Sequence, residues 1–175
     1  MKNVERYLKS FGKQVVLKTQ QRLKRLDKVV TGNLLKSVKF QVVKTSKGYT
    51  VEFSMIDYGK FVDKGVSGSI QKRSYIDYKG KKRESPFQYG KTRDGGLTRG
   101  LDKWIVKRGI APRDEKGKFM SRASLKFLIA RKIYLYGRNG VGFFQKPLKF
   151  GLKKFGKELL GSVKEDIITN ITKIK

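Results

Sequence analysis

Val4, Leu8, Phe11, Val15, Thr19, Leu23 and Leu26 follow one another at intervals of three and four residues. That recurrence predicts a helix from about residue 3 to 27, with this stripe on one face and Lys and Arg on the other. A helix with one apolar stripe gains little by standing alone in water and has to lay the stripe on something. A basic amphipathic helix can lie on a membrane or in a partner's groove. The simpler expectation is that it packs on a sheet of its own chain.

The next segment supplies that sheet. Val38, Phe40 and Val42 alternate with Lys39 and Gln41; after Ser46-Lys47-Gly48, Tyr49, Val51, Phe53 and Met55 alternate with Thr50, Glu52 and Ser54. Two period-two runs around a Gly-containing turn predict a β-hairpin with one buried face. From Gly65 to about Arg99 the periodicity dissolves into Gly and charge, which reads as a long loop or basic arm with a short strand at Ser74–Tyr78. Helical spacing returns at Leu101–Arg108, where Leu101, Trp104 and Ile105 share a side, and at Arg122–Tyr136, where Leu125, Leu128, Ile129, Lys132 and Ile133 define a face. Gly137-Arg138-Asn139-Gly140 ends that helix. Pro147 suits the first turn of a final helix, along which Leu148, Leu152, Phe155, Leu159, Val163, Ile167 and Ile171 recur. There is no internal repeat. Two long helices enclosing a hairpin predict an α+β fold, with residues 1–175 as a single domain and about 66–122 as a basic, Gly-rich insertion or arm.

Charge limits the function. The chain has 43 Lys+Arg against 14 Asp+Glu, a formal net charge of +29. A hydrophobic content of 38% separates it from a disordered polycation, so the charge belongs to the exterior of a folded body. The excess is also even along the chain: 15 basic and 5 acidic residues over 1–66, 16 and 6 over 67–122, and 12 and 3 over 123–175. A basic tail on a neutral domain is therefore excluded. An anionic partner, nucleic acid first and an acidic protein surface second, would relieve the self-repulsion. Lys outnumbers Arg 31 to 12. That balance suits diffuse electrostatics better than bidentate readout of bases, and codon bias in an AT-rich genome would raise Lys as well.

Chemistry is narrowed by exclusion. The chain has neither Cys nor His. Disulfides, Ser-His-Asp and Cys-His arrangements and His/Cys zinc sites are ruled out. Paired carboxylates could still hold Mg²⁺ for a nuclease, but Asp77 and Asp114 sit in polar stretches without the partner acid such a site needs. Gly90-Lys91-Thr92 resembles the end of a phosphate loop, yet position 85 is Ser where that pattern requires Gly. Gly137, Gly140 and Gly142 follow a helix where a dinucleotide site needs a strand. The expectation is a protein that is not an enzyme and holds no cofactor or metal. The start of the chain has no apolar run of signal-peptide length, and no stretch approaches a membrane span, so synthesis in a cytoplasm and no membrane partner are expected. The strongest candidate contact surface is basic: Lys72, Arg73, Lys79, Lys81, Lys82 and Arg83 surround Tyr75 and Tyr78. Such a mixture can neutralise phosphates and stack on bases, or dock on another subunit.

Several short motifs, in order, resemble the tail-completion (neck, head–tail joining) proteins of tailed bacteriophages. After the long helix comes Thr31-Gly32-Asn33-Leu34-Leu35-Lys36-Ser37-Val38, similar to the family's Thr-Gly-x-Leu-x-x-Ser-[Ile/Val] element. Tyr58-Gly59-Lys60-Phe61-Val62-Asp63-Lys64-Gly65 is similar to its aromatic segment ending in Gly. Leu128-Ile129-Ala130-Arg131-Lys132-Ile133, a Gly turn, and Phe143, Phe144 and Pro147 resemble its closing elements. The basic stretch from about 66 to 122 is longer than in compact members. The resemblance implies a structural virion protein: a homo-oligomeric ring joining portal or head to tail around the channel for packaged double-stranded DNA, touching portal and other neck or tail proteins and made in the host cytoplasm. The alternative is a sequence-nonspecific nucleic-acid-binding protein that works as a monomer or dimer.

Overall fold

The computed structural model describes residues 2–29, 31–46, 48–90, 96–113 and 115–172. The protein is α+β. In chain order its elements are α1 (Lys2–Arg25), α2 (Asn33–Ser37), β1 (Lys39–Thr45), β2 (Gly48–Ser54), α3 (Tyr58–Lys64), β3 (Gly65–Val66), β4 (Ser74–Ile76), β5 (Lys82–Glu84), α4 (Gly96–Lys107), α5 (Arg122–Tyr136), β6 (Arg138–Asn139) and α6 (Gln145–Thr172). Among the described residues the strands pair as three two-stranded sheets, β1–β2, β3–β6 and β4–β5. The chain forms two compact units. One comprises Met1–Gly59, Ile76–Lys81 and Gly142–Lys175, and the other Lys60–Tyr75 and Lys82–Val141. Most of the basic insertion belongs to the second.

In the first unit α1 carries the core. Val4, Leu8, Phe11, Val15 and Leu23 are buried, as their spacing predicts. Their burial is worth on the order of 10 kcal/mol before chain entropy is set against it. The stripe faces the β1–β2 hairpin on one side and α6 on the other. Phe11 meets Phe53 edge-on at 6.2 Å and Phe155 at 4.1 Å. Gly12 and Gly151 let these elements close: a Cβ on Gly12 would collide with the edge of the Phe40 ring, and one on Gly151 would lie 3.0 Å from Phe11. The hairpin pairs Phe40 with Phe53 and Val42 with Val51.

Both ends of α1 are closed by specific bonds. The helix stops at Arg25, two residues before the predicted end. Asp27 takes φ 49°, Asp27 N–H donates to Lys24 O, and Lys28 N–H donates to Leu23 O. That pair of bonds around a left-handed residue is a Schellman ending, with Asp where Gly is usual. At the other end the Asp166 carboxylate of α6 accepts from Asn3 N–H at 3.2 Å and Val4 N–H at 3.0 Å. These bonds, Val4 first, hold Asp166 below the ordinary aspartate pKa range.

The second unit is built around a close crossing. β3 and β6 pair antiparallel, Gly65 with Asn139 and Val66 with Arg138. α4 buries Leu101 and Ile105. It starts earlier than its apolar spacing predicts, at Gly96 rather than Leu101. α5 spans the predicted residues, and Ser121 Oγ caps it by accepting from Ser124 N–H. Its expected inner face differs from the prediction, because no residue of α5 is buried and Leu128 is 49% exposed. The long stretch from 65 is loop interrupted by short paired strands. β4 falls within the predicted strand, whereas β5 and the single-turn α2 and short α3 lack a periodic signature. Among the described residues no helix is long and apolar enough to cross a membrane.

Candidate functional site

The motif residues hold joints of the chain. Gly32, at φ 78°, starts α2, and its carbonyl accepts from Lys36 N–H. Thr31 is exposed, with Oγ1 3.5 Å from Asn33 N. Leu34 is buried against Met55 and Gly59, where a Cβ on the glycine would lie 2.9 Å from Leu34 Cδ1. Ser37 Oγ donates to Leu34 O at 2.8 Å and accepts from Ile56 N–H at 3.2 Å. One hydroxyl thereby ties the end of α2 to the chain leaving β2. Phe144 packs edge-on against Phe53 at 5.4 Å, and Pro147 lies in the first turn of α6, where its missing N–H removes no helical bond. Tyr58, at the start of α3, is 41% exposed.

Gly65 belongs to the second unit. It takes φ 78°, and a Cβ there would sit 2.4 Å from Gly140 N. Gly68 and Gly137 meet in the same way, Gly137 at φ 68° with its would-be Cβ 2.2 Å from Val66 O. Ser85 Oγ donates to Gly65 O at 2.6 Å. The Gly that ends the aromatic segment and the Gly turn after α5 thus form one backbone-to-backbone crossing. Arg131 and Lys132 stand exposed on α5.

The basic candidates fall in one segment, the β4–β5 hairpin and its approach. Asp77 N–H donates to Lys81 O, and Ser85 N–H to Arg73 O. Alternation along β4 leaves Arg73 and Tyr75 half-buried and Ser74 and Ile76 exposed. Lys72, Lys79, Lys81, Lys82 and Arg83 are exposed. Arg73 differs: its Nε donates to Tyr136 O at 2.7 Å, which turns the guanidinium to a structural bond. The tip, within the first unit, is anchored by Tyr78 N–H donating to Gln145 Oε1 at 2.8 Å.

This geometry changes what the segment can do. The Tyr75 ring is half-buried with the Lys64 ammonium 5.6 Å from its centroid, which leaves less ring surface for a base than an exposed aromatic offers. Tyr78 is 40% exposed, with Lys79 at 5.8 Å. Aromatic stacking on successive bases needs a row of open rings; Tyr78 stands with Lys79 and Lys81 in the first unit, while Lys72, Lys82 and Arg83 belong to the second. Exposed cations without such a row can neutralise phosphates but do not stack on bases.

Of the two acidic candidates, Asp77 is engaged in the fold. Asp77 is buried, and its Oδ1 accepts from Lys81 N–H, closing the hairpin tip. Asp114 lies outside the described residues. Among the described residues no three carboxylates gather as a metal site would require. A cleft of about 350 Å³ opens between α1 and α6, lined by Tyr7, Phe11, Leu17, Lys13, Lys154 and Glu158 among others. Its aromatic wall is occupied by packing, with Tyr7 stacked on Phe155 at 4.5 Å. Tyr7 OH donates to Glu158 Oε2, and desolvation together with that carboxylate pushes the phenol up to about 12. A phenol so far above neutrality holds its proton and is no general base. Comparison with known protein families, curated proteins and solved structures found no match to this chain.

Proposed function

We propose that this chain is a non-enzymatic structural protein of a tailed bacteriophage particle, a neck or tail-completion component. In this reading copies assemble into a ring between portal or head and tail, and the channel carries double-stranded DNA. The observation that carries the reading is the position of the motif residues at the joints of the chain. Ser37 ties α2 to the segment after β2, Gly65 crosses Gly140, and Phe144 closes on Phe53. Charge supports it independently. An evenly spread +29 presents DNA with a dense field that neutralises phosphates without reading sequence.

The exposed cations of the β4–β5 segment also favour a second reading, a sequence-nonspecific nucleic-acid-binding protein acting alone or as a dimer. The mass of the purified chain at moderate and high salt, with and without duplex DNA and with portal protein added, separates the two. A discrete ring-sized oligomer that persists at high salt, alone or on the portal, is the expected result. A chain that binds DNA tightly yet stays monomeric or dimeric even with portal present would overturn the ring and favour the second reading.

A further inference from the structure

α5 has the sequence RASLKFLIARKIYLY, in which apolar residues occur on every side. A helix with apolar residues on several sides normally covers them by packing, yet none of its residues is buried. α4 lies against it, and Ser69 and Ile70 N–H groups donate to the carbonyls of its last turn. Its outward strip is Ser124, then Phe127 and Leu128, then Arg131 and Lys132, then Leu135 and Tyr136. Phe127 is 62% exposed, Leu128 49% and Tyr136 44%. The strip therefore runs apolar, basic, apolar over successive turns, with the cations between two uncovered apolar steps.

We infer that this strip is a docking surface for an acidic amphipathic helix of another protein, one whose apolar residues cover Phe127, Leu128 and Tyr136 while its carboxylates meet Arg131 and Lys132. Charge selects that occupant. α5 contains no acidic residue, so a second copy of α5 would set Arg131 and Lys132 against their own kind. Seven of the described acids are already buried or engaged. Asp63, Asp77 and Asp166 are buried, Glu5 pairs with Lys9 at 2.6 Å, Asp102 lies 3.5 Å from Lys126, Glu52 accepts from Gln41, and Glu158 accepts from Tyr7. Nucleic acid would satisfy the two cations but leave Phe127 and Leu128 in water. A partner with acid between apolar anchors satisfies both. The inference does not depend on the ring reading.

The test uses the full chain and a fluorescent four-turn helical peptide that carries Leu one turn either side of a pair of Glu on one face. A control peptide has Gln in place of Glu. The peptide is expected to bind, Phe127→Ser/Leu128→Ser to weaken it by about tenfold or more, and Arg131→Gln/Lys132→Gln to weaken it and flatten its salt dependence. The Gln peptide should show the same weakening. All four changed side chains are exposed, so the thermal midpoint should stay put, and equal midpoints confirm that folding is intact. Peptide binding that ignores the Phe127/Leu128 change would reduce the effect to bulk charge and overturn the inference. So would loss of self-association in that variant, or loss of duplex DNA binding in it, since either outcome hands the strip to a different occupant.

Discussion

Thr19 lies fully buried in α1, and its hydroxyl has no hydrogen-bond partner. It occupies a place in the apolar stripe where shape matters and polarity costs. Replacing a buried, unpaired hydroxyl by a methyl of the same outline removes a desolvation penalty. Thr19→Val should raise stability by about 1 kcal/mol, read as a shift in urea midpoint at constant slope. Asp166 makes the opposite case, because its carboxylate is fully used on Val4 and Asn3 N–H at the positive end of α1. Its folded pKa lies below its unfolded value, so its contribution is complete above the ordinary aspartate range near 4 and fades as pH falls through the folded pKa. Asp166→Asn should therefore lower the thermal midpoint at neutral pH and shrink the difference from wild type in strong acid. A constant difference down to the acid limb would refute the linkage.

Elements differ in how much of their cause lies within their own residues. α1 and the β1–β2 hairpin are legible in the sequence because their periodicity is local, and the end of α5 is legible from the Gly137 turn; its start is fixed by the Ser121 cap, which the spacing of apolar residues does not show. β5 is not legible. Lys82–Glu84 has no apolar residue, all three are exposed, and only pairing with β4 makes it a strand. The glycine crossing is hidden for a different reason, since Gly65 and Gly140 are 75 positions apart and only the folded backbone brings them together. The exposure of α5 is hidden too, because periodicity states that a face exists, not that this chain covers it. Two glycines separate strain from collision. Gly32 has φ 78° with nothing within 4 Å of a would-be Cβ, whereas Gly137 has φ 68° and Val66 O at 2.2 Å. Gly32→Ala should cost about 1 kcal/mol from backbone strain. Gly137→Ala should cost about 3 kcal/mol or more, because strain adds to a clash with main chain that cannot rotate away. Urea denaturation of both variants checks the order, and equal losses would mean the β3–β6 crossing gives way without cost.

For the molecule as a whole, charge is the most readable property and the least local. An excess of 29 positive charges predicts duplex binding that falls steeply with salt whatever the base sequence. The geometry of the β4–β5 segment distinguishes the cations that the proposed DNA contact would use. Arg73 is committed to Tyr136 O, while Lys81 and Lys82 are exposed. Lys81→Ala/Lys82→Ala should lower the slope of log affinity against log salt by about 0.9 for each phosphate that is no longer neutralised. Arg73→Ala should act mainly on stability. Fluorescence anisotropy with two unrelated duplexes measures both, and an unchanged slope in the Lys pair would remove this segment from the DNA interface.

The unit that contains α1 is discontinuous in the chain, and that sets an order of events during translation. α1 leaves the ribosome with its apolar stripe exposed, and α6, which covers part of that stripe and brings Asp166 to its first turn, follows about 120 residues later. At about 5–20 residues per second, the first helix waits on the order of ten seconds for its lid. The second unit is complete once Val141 has emerged, before α6 exists. The second unit can therefore close before the first, and during that wait the stripe of α1 is a natural place for a chaperone to hold.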